Sequence, residues 1–377
     1  MAIIVFWISL VFVGYVFLGY PLVLFVWRAC ARRPVLKKAC EPTVSLVISM
    51  HNEARNVPAK MRNCGELDYP ADRLQVIVSL DASTDSTLTL LKEFGPQRLQ
   101  IVSSSIRGGK AVAVNRGVAA ATGEIVVFGD AGQRLEPNAV RELVANFADE
   151  RVGAVSGALI LLDEHGHESA AGAGAYWRYE KALRGMESDI HSVPGTTGAI
   201  YAIRRSLFEP LPTDTILDDV AVPMRIVLQG YRVILDTSAR AYDAVTDAGE
   251  GEYRRKTRTS AGNYQLLAEM PELLSWVRNP IFVQFVSHKV GRLLAPFGLT
   301  ALFMSNLFLP HGIYLPVLIA QLFFYGMAAT GPLITFRPAL LPYTFVVMNR
   351  AALAGLLQFA QGTTAIWNPD RARRNLG

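Results

Sequence analysis

The chain carries two kinds of hydrophobic pattern. Residues 3–27 form one nearly charge-free apolar run, long enough as a helix to cross a ~30 Å hydrocarbon core. From Glu41 to about Asp247 the apolar residues come instead in short blocks. Residues 44–49, 74–80, 99–102 and 124–128 read as buried strands, and residues 54–64, 84–94 and 110–121 between them as helices. Strands alternating with helices predict an α/β domain built on a parallel sheet with helices on both faces. In such sheets ligands bind outside the carboxyl ends of the strands. Polar residues follow three of these runs: His51-Asn52-Glu53, Asp81 and Asp130.

Beyond residue 253 the chain turns basic and then amphipathic. Residues 276–294 mix aromatic side chains with Arg278, His288, Lys289 and Arg292, which predicts a helix lying on a membrane surface. Residues 293–309 and 313–330 read as two further spans, and residues 343–361, interrupted by Asn349 and Arg350, as a last segment that is re-entrant or packed at the interface. Arg28, Arg32, Arg33, Lys37 and Lys38 follow the first run and place that end in the cytoplasm by the positive-inside rule. The first run lacks the positive start and short apolar core of a cleaved signal peptide. The expected layout is an anchor with its basic flank over residues 1–38, a cytoplasmic catalytic domain over 39–260, and interfacial and transmembrane helices over 261–377. That describes a multi-pass protein of the cytoplasmic membrane. Three membrane segments after the domain would put Arg371, Arg373 and Arg374 outside, against the same charge rule.

Composition agrees with membrane lipids as a partner: 51% of residues are hydrophobic and 18% charged. The net charge of +5 does not imply nucleic-acid binding, because the basic residues do not interleave with aromatics in a binding module. Cys30, Cys40 and Cys64 have no zinc-site spacing and read as reduced thiols.

Candidate chemistry gathers at the strand ends. In "SLDASTDST", Ser83, Thr84 or Asp85 suits a helix N-cap, whereas Asp81 precedes the cap and could accept hydrogen bonds from a base or ribose. Arg107-Gly108-Gly109-Lys110 opens a helix and reads either as a phosphate-binding start or as a surface turn. Asp218 and Asp219 open another helix, where two adjacent carboxylates read as N-caps. The "DEHGHE" stretch, residues 163–168, reads as a solvated loop or a metal site through His165 and His167.

Taken in order, "VISMHNEARN", "SLDASTDST", "GGKAVAVNRG", "FGDAGQRLEP", "GTTGAIYAIRR" and "ILDDVAVPMRI" resemble the family 2 glycosyltransferases. The N-terminal span and the C-terminal apolar segments also resemble membrane-bound bacterial members that make surface polysaccharides or glycolipids. The resemblance implies the GT-A fold, an α/β nucleotide-diphospho-sugar transferase architecture with a Rossmann-like mixed sheet. It implies that Asn52, Glu53, Asp81, Lys110 and Asp130 bind the donor, that Asp219 is the general base, and that Asp218 tunes it. The "GTTGAIYAIRR" stretch reads either as an acceptor-side turn, with Gly195 and Gly198 giving room for a sugar ring and Tyr201 stacking on it, or as a tight turn into a strand. The basic cluster at Arg254, Arg255, Lys256 and Arg258 reads either as a solvated or lipid-facing patch or as the site where Arg255 or Arg258 neutralises the leaving diphosphate.

The partners implied are a nucleoside-diphosphate sugar, expected to be UDP-linked, a lipid-linked or glycan acceptor, and other polysaccharide-assembly proteins. Gly132 stands where the family's Asp-x-Asp has its second acid, so Asp130 alone would hold Mg²⁺ or Mn²⁺ together with the donor's diphosphate. The family's Gln-x-x-Arg-Trp is absent, which weighs against processive synthesis. The alternative reading is a catalytically silent sugar-nucleotide-binding partner of an assembly complex. Nucleotidyl transfer, a third reading on a related fold, needs neither the membrane helices nor the Asp218-Asp219 pair.

Overall fold

The computed structural model describes residues 1–95, 99–163, 165, 167–168, 175–244, 250–309, 311–330 and 337–362. Its elements run α1 (Ala2–Gly14), a π-helical turn (Tyr15–Gly19), α2 (Tyr20–Ala31), β1 (Val44–Met50), α3 (Val57–Gly65), β2 (Leu74–Asp81), α4 (Thr87–Glu93), β3 (Leu99–Ser104), α5 (Lys110–Ala119), β4 (Ile125–Asp130), β5 (Arg134–Leu135), α6 (Ala139–Val144), β6 (Val152–Leu162), α7 (Ala175–Ile190), β7 (Ile200–Arg204), α8 (Asp218–Leu228) and β8 (Arg232–Ala244). Then follow α9 (Glu250–Glu269), α10 (Phe282–Phe285), a second π-helical turn (Val286–Val290), α11 (Gly291–Leu307), α12 (Tyr314–Thr330) and α13 (Arg337–Ala360).

Eight strands form one sheet in the order β3-β2-β1-β4-β7-β6-β8-β5. The β3-β2-β1-β4 half is parallel, as the sequence pattern predicts, and β1 is buried at every residue. Both faces are covered at β1 and β4, so these two strands are buried nearly throughout rather than alternating, whereas β3 at the sheet edge is only half-buried. Leu46, Ile48, Val76 and Val78 pack into one core layer, and Val47, Ile77, Val126 and Phe128 into the other.

The register fixes where the site lies. Met50 pairs with Leu80, Ser49 with Asp130, and Asp81 with Ser104, so the polar ends of four strands share one edge. Next to β4 the sheet changes sense: β7 is antiparallel, with Ile200 opposite Gly129. The start of β7 therefore meets the end of β4, and the turn before β7 is delivered to the same edge.

Close packing of backbones allows this. Gly123 lies so near the chain entering β1 that a Cβ there would be 2.6 Å from the Ser45 amide nitrogen. Backbone cannot move aside as a flexible side chain can, so Gly123→Ala is expected to cost about 1–3 kcal/mol. A thermal-melt comparison with wild type checks this.

Residues 2–31 form one helical run through the first π-turn, and residues 282–307 another through the second. Both are long and apolar enough to cross a membrane, by length and composition. They pack antiparallel: Phe12 lies against Gly298, Val16 against Gly291, and the Tyr15 and Ser287 hydroxyls are 2.7 Å apart. The two glycines let the helices approach closely. Ile4, Ile8, Val11 and Leu18 remain exposed on the first run.

The expected surface helix over residues 276–294 is not formed. Trp276 and Val277 lie exposed ahead of the second run, and Phe282 onward belongs to that run. The cations of this stretch are compatible with a long helix because His288, Lys289 and Arg292 face acidic groups of α7. The last segment, α13, lies along α9, with Gly355 against Ser260 and Ala261. Arg371, Arg373 and Arg374 lie outside the described residues.

Candidate active site

The first wall is built from the loops after β1 and β2. Asn52 sits at a positive φ of 53°, which turns its side chain back toward the second loop. Its Oδ1 accepts from the Thr84 amide at 2.8 Å, and its own amide donates to Ser83 Oγ at 3.1 Å. Glu53 is buried, accepts a hydrogen bond from Asn56 Nδ2, and donates its amide to Thr87 Oγ1 at 2.9 Å. The two residues thus lash the β1 end to the start of α4.

Asp81 differs from expectation. Its carboxylate accepts from the Gly108 amide at 2.7 Å and the Gly109 amide at 2.8 Å, and the residue is fully buried. Instead of facing a base or ribose, it holds the turn that starts α5. That turn needs glycine, because Gly109 has φ +86°. Asp81 thereby fixes the direction in which Lys110 leaves the turn.

Lys110 is the hub. Its Nζ lies 3.0 Å from Asp130 Oδ1 and 3.4 Å from Asp218 Oδ1. Burial works against its charge, but Asp130, Asp218 and Asp219 outweigh that and hold its pKa above the ordinary lysine value. A second lysine, Lys60 on α3, lies buried under the same loop and donates to the Gln133 carbonyl at 2.9 Å. Burial pushes the pKa of its ammonium down, opposed by Cys64 and Asp130. Sequence reading missed Lys60 because one lysine in a polar helical stretch looks solvent-facing.

Asp218 and Asp219 occupy the first turn of α8, where the helix dipole favours negative charge. The N-cap position is Leu217, so neither aspartate is the cap. The turn before β7 is fastened to this helix start, because the Thr196 amide and hydroxyl both donate to the Asp219 carbonyl at 2.8 Å. Gly198 then lies against the Asp219 carboxylate: a Cβ there would be 3.0 Å from Oδ2. The space at Gly198 thus admits the carboxylate rather than leaving a gap for a sugar ring.

Burial and the adjacent Asp218 raise the Asp219 pKa to about 6, against the pull of Lys110 and Lys289. A base must be ionised to accept a proton. Activity is therefore expected to fall as pH drops through about 6 and to be insensitive to pH above about 7 on this account. A pH–rate profile with an acid limb near that value checks it.

Tyr201 also differs from expectation. It is fully buried and stacked on Phe128, with ring centroids 4.5 Å apart, so it offers no face to a sugar. Its hydroxyl has no hydrogen-bond partner, and burial together with Asp218, Asp219 and Asp130 raises its pKa well above the ordinary phenol value. Arg258 donates to the Ile216 carbonyl at 3.3 Å and braces the segment leading into Asp218, whereas Arg255 is exposed on α9.

Asp130 is 35% exposed and Gly132 adds no second carboxylate. Among the described residues no group of three His, Cys, Asp or Glu side chains could hold a metal ion. In the "DEHGHE" loop, Asp163 Oδ1 accepts from the His165 and His167 amides as a loop brace, while residues 164 and 166 lie outside the described set. A divalent ion at Asp130 fits only as a one-carboxylate site completed by ligand oxygens and water.

The sheet order, the acidic strand ends and the paired aspartates at a helix start now stand together. Residues 45–211 match the family model "Glycosyl transferase family 2". This stretch is a family 2 glycosyltransferase domain.

The glycosyltransferase domain has relatives of several kinds. The chain is 28% identical over 292 residues to the "Probable glycosyltransferase YdaM" of Bacillus subtilis, covering 71% of this chain and 67% of that one. It is 22% identical over 229 residues to a poly-beta-1,6-N-acetyl-D-glucosamine synthase of Staphylococcus epidermidis, covering 59% of this chain but only 55% of the synthase. Among solved structures it is similar to the mannosyltransferase PcManGT of Pyrobaculum calidifontis, in complex with GDP-Man and Mn²⁺. That likeness has a TM-score of 0.74 at 24% identity and covers 95% of this chain and 99% of the other. The fold is therefore GT-A, with its mixed sheet in which β7 runs antiparallel to both of its neighbours.

Proposed function

We propose that the protein is a membrane-associated inverting glycosyltransferase. It moves a sugar from a nucleoside-diphosphate sugar, UDP-linked in the favoured case, to a lipid-linked or glycan acceptor. The product belongs to cell-surface polysaccharide or glycolipid synthesis, and the staphylococcal relative named as a poly-beta-1,6-N-acetyl-D-glucosamine synthase supports the polysaccharide side of this reading. The observation that carries the reading is the Asp130–Lys110–Asp218 chain at the strand ends, with the Asp219 carboxylate packed against Gly198 beside it.

In this mechanism Asp219 takes the proton from an acceptor hydroxyl as that oxygen bonds to the anomeric carbon. The bond from that carbon to the diphosphate breaks, and its electron pair leaves with the nucleoside diphosphate. In-line attack on the face opposite the leaving group inverts the configuration. Lys110 lies where charge develops on the diphosphate, and fixed charges in a partly buried site stabilise such a transition state strongly. Arg255 and Arg258 are proposed to add to this from α9. Asp130 would hold Mg²⁺ or Mn²⁺ together with the donor's phosphates, and the ion would neutralise leaving-group charge. Asn52 and Glu53 would shape the nucleotide end through the loops they brace.

The same reading gives the chain three parts: an anchor over residues 1–38, a catalytic domain over 39–260 facing the cytoplasm, and membrane and interfacial helices over 261–377. The helical runs 2–31 and 282–307 are proposed to sit in the cytoplasmic membrane as an antiparallel pair.

Gly132 favours a second reading, a silent sugar-nucleotide-binding partner of an assembly complex. One assay separates the two. Purified full-length protein is supplied with UDP- and GDP-sugars and a membrane lipid extract, and nucleoside diphosphate release is scored with Mg²⁺, Mn²⁺ or chelator. Acceptor-dependent release supports transfer. Nucleotide binding without release on any acceptor fraction supports the silent reading.

A further inference from the structure

The helix 282–307 does more than pack against its apolar neighbour. Three side chains spaced four residues apart clamp it to α7. Gln284 Nε2 donates to the Glu187 carbonyl at 3.1 Å and the Ser192 carbonyl at 2.9 Å. The His288 ring bridges Glu187 Oε1 at 2.8 Å and Glu180 Oε1 at 2.9 Å, and Arg292 pairs with Glu180 at 2.6 Å. The clamp spans the second π-turn, a wide single turn of the kind often found inside helices at functional sites.

Lys289, next to His288 in this turn, is aimed at the catalytic side. Its Nζ would lie 3.5 Å from a Cβ placed on Gly195. Gly195 begins the turn that Thr196 fastens to the Asp219 carbonyl and that Gly198 packs against the Asp219 carboxylate. From α7, Arg184 holds the same turn through Thr197 Oγ1 at 3.1 Å and the Gly195 carbonyl at 3.3 Å. Among the described residues Lys289 Nζ makes no hydrogen bond or ion pair, and of the carboxylates acting on it Glu180 comes first and Asp219 second. The charged groups around it are Glu180, Asp219, Arg184 and Glu187. Those around Asp219 are Asp218, Lys110, Lys289 and Asp130.

We propose that Lys289 is a positioning residue for sugar transfer. Clamped behind the 195–198 turn, its ammonium keeps Asp219 ionised and steadies the turn against which that carboxylate rests. Docking of the apolar helix pair onto α7 thereby sets the state of the base. This rests on Asp219 being the base. Lys110 already serves Asp130 and Asp218, so a second cation from another element is what the doubled acid of α8 calls for.

The test compares Lys289→Met and Lys289→Arg with wild type, in full-length protein in detergent or lipid. Deleting the cation weakens ionisation of Asp219, so the acid limb of the kcat profile should move to higher pH by about one unit. At pH 6.5 the Met variant should be slower by about threefold, and the deficit should vanish by about pH 8, with donor KM unchanged. The Arg variant should keep the wild-type limb. A loss of equal size at every pH, an unmoved limb in the Met variant, or a limb displaced alike in the Arg variant overturns the proposal. If Asp219→Asn is fully active, the assignment of the base has failed instead. An inactive Asn variant with an unmoved Met limb refutes Lys289 alone.

Discussion

Asp219→Asn should abolish sugar transfer while leaving the donor bound. The asparagine keeps the shape of the side chain and its fit against Gly198, but it cannot take a proton at neutral pH. A positioned general base contributes about 10²–10⁴-fold, so kcat should fall by that factor. Nucleotide affinity, measured by calorimetry, should stay within about twofold, because removing one of two adjacent carboxylates changes little at the diphosphate. The adjacent Asp218 is a poor substitute, since it is buried and faces Lys110 at 3.4 Å. A loss of binding equal to the loss of rate would place Asp219 on the donor instead.

Lys110→Met is the second large effect, and it acts on both binding and chemistry. The lysine is the cation shared by Asp130, Asp218 and the field at Asp219. Removing one partner from a buried ionic cluster leaves uncompensated charge and typically costs about 3–5 kcal/mol. Lys110 is 16% exposed, so solvent relieves part of this and the lower end is expected. The donor KM should rise if Lys110 faces the donor's diphosphate, as the proposed mechanism has it. The acid limb should shift upward, because the Asp218–Asp219 pair loses its main counter-charge. Lys110→Arg should recover stability better than activity, since a planar fork does not reproduce a compact ammonium between two acids. Thermal melts and pH-dependent kinetics on the same preparations check both parts.

What the sequence disclosed followed from chain-local physics. The blocks at β1 and β4 are readable because strands buried on both faces are nearly continuously apolar. The polar ends at Asp81 and Asp130 pointed to the functional edge for the same reason: a carboxylate directly after such a strand sits at the sheet's rim. The partners of those ends were not readable. Asp81 is satisfied by two backbone amides 27 and 28 residues later, and backbone amides leave no trace in a sequence.

Tyr201 followed a polar-looking turn, yet β7 places it against Phe128 in the core. The surface helix expected over residues 276–294 does not form, because α7 supplies acids for His288 and Arg292. That match had a sequence signal. Glu180, Arg184 and Glu187 recur at helical spacing on one face of α7, a charged stripe on a helix bordered by apolar elements. Lys60 had none.

The central claim is that the strand ends and the start of α8 grip one activated sugar. The most direct measurement is a structure of the full-length protein with a nucleoside-diphosphate sugar. The account predicts the diphosphate between Asp130 and Lys110, with the Asp219 carboxylate facing the anomeric carbon from the side opposite the leaving oxygen. A nucleotide bound away from Asp130, or an Asp219 carboxylate on the same side as the diphosphate, would contradict it.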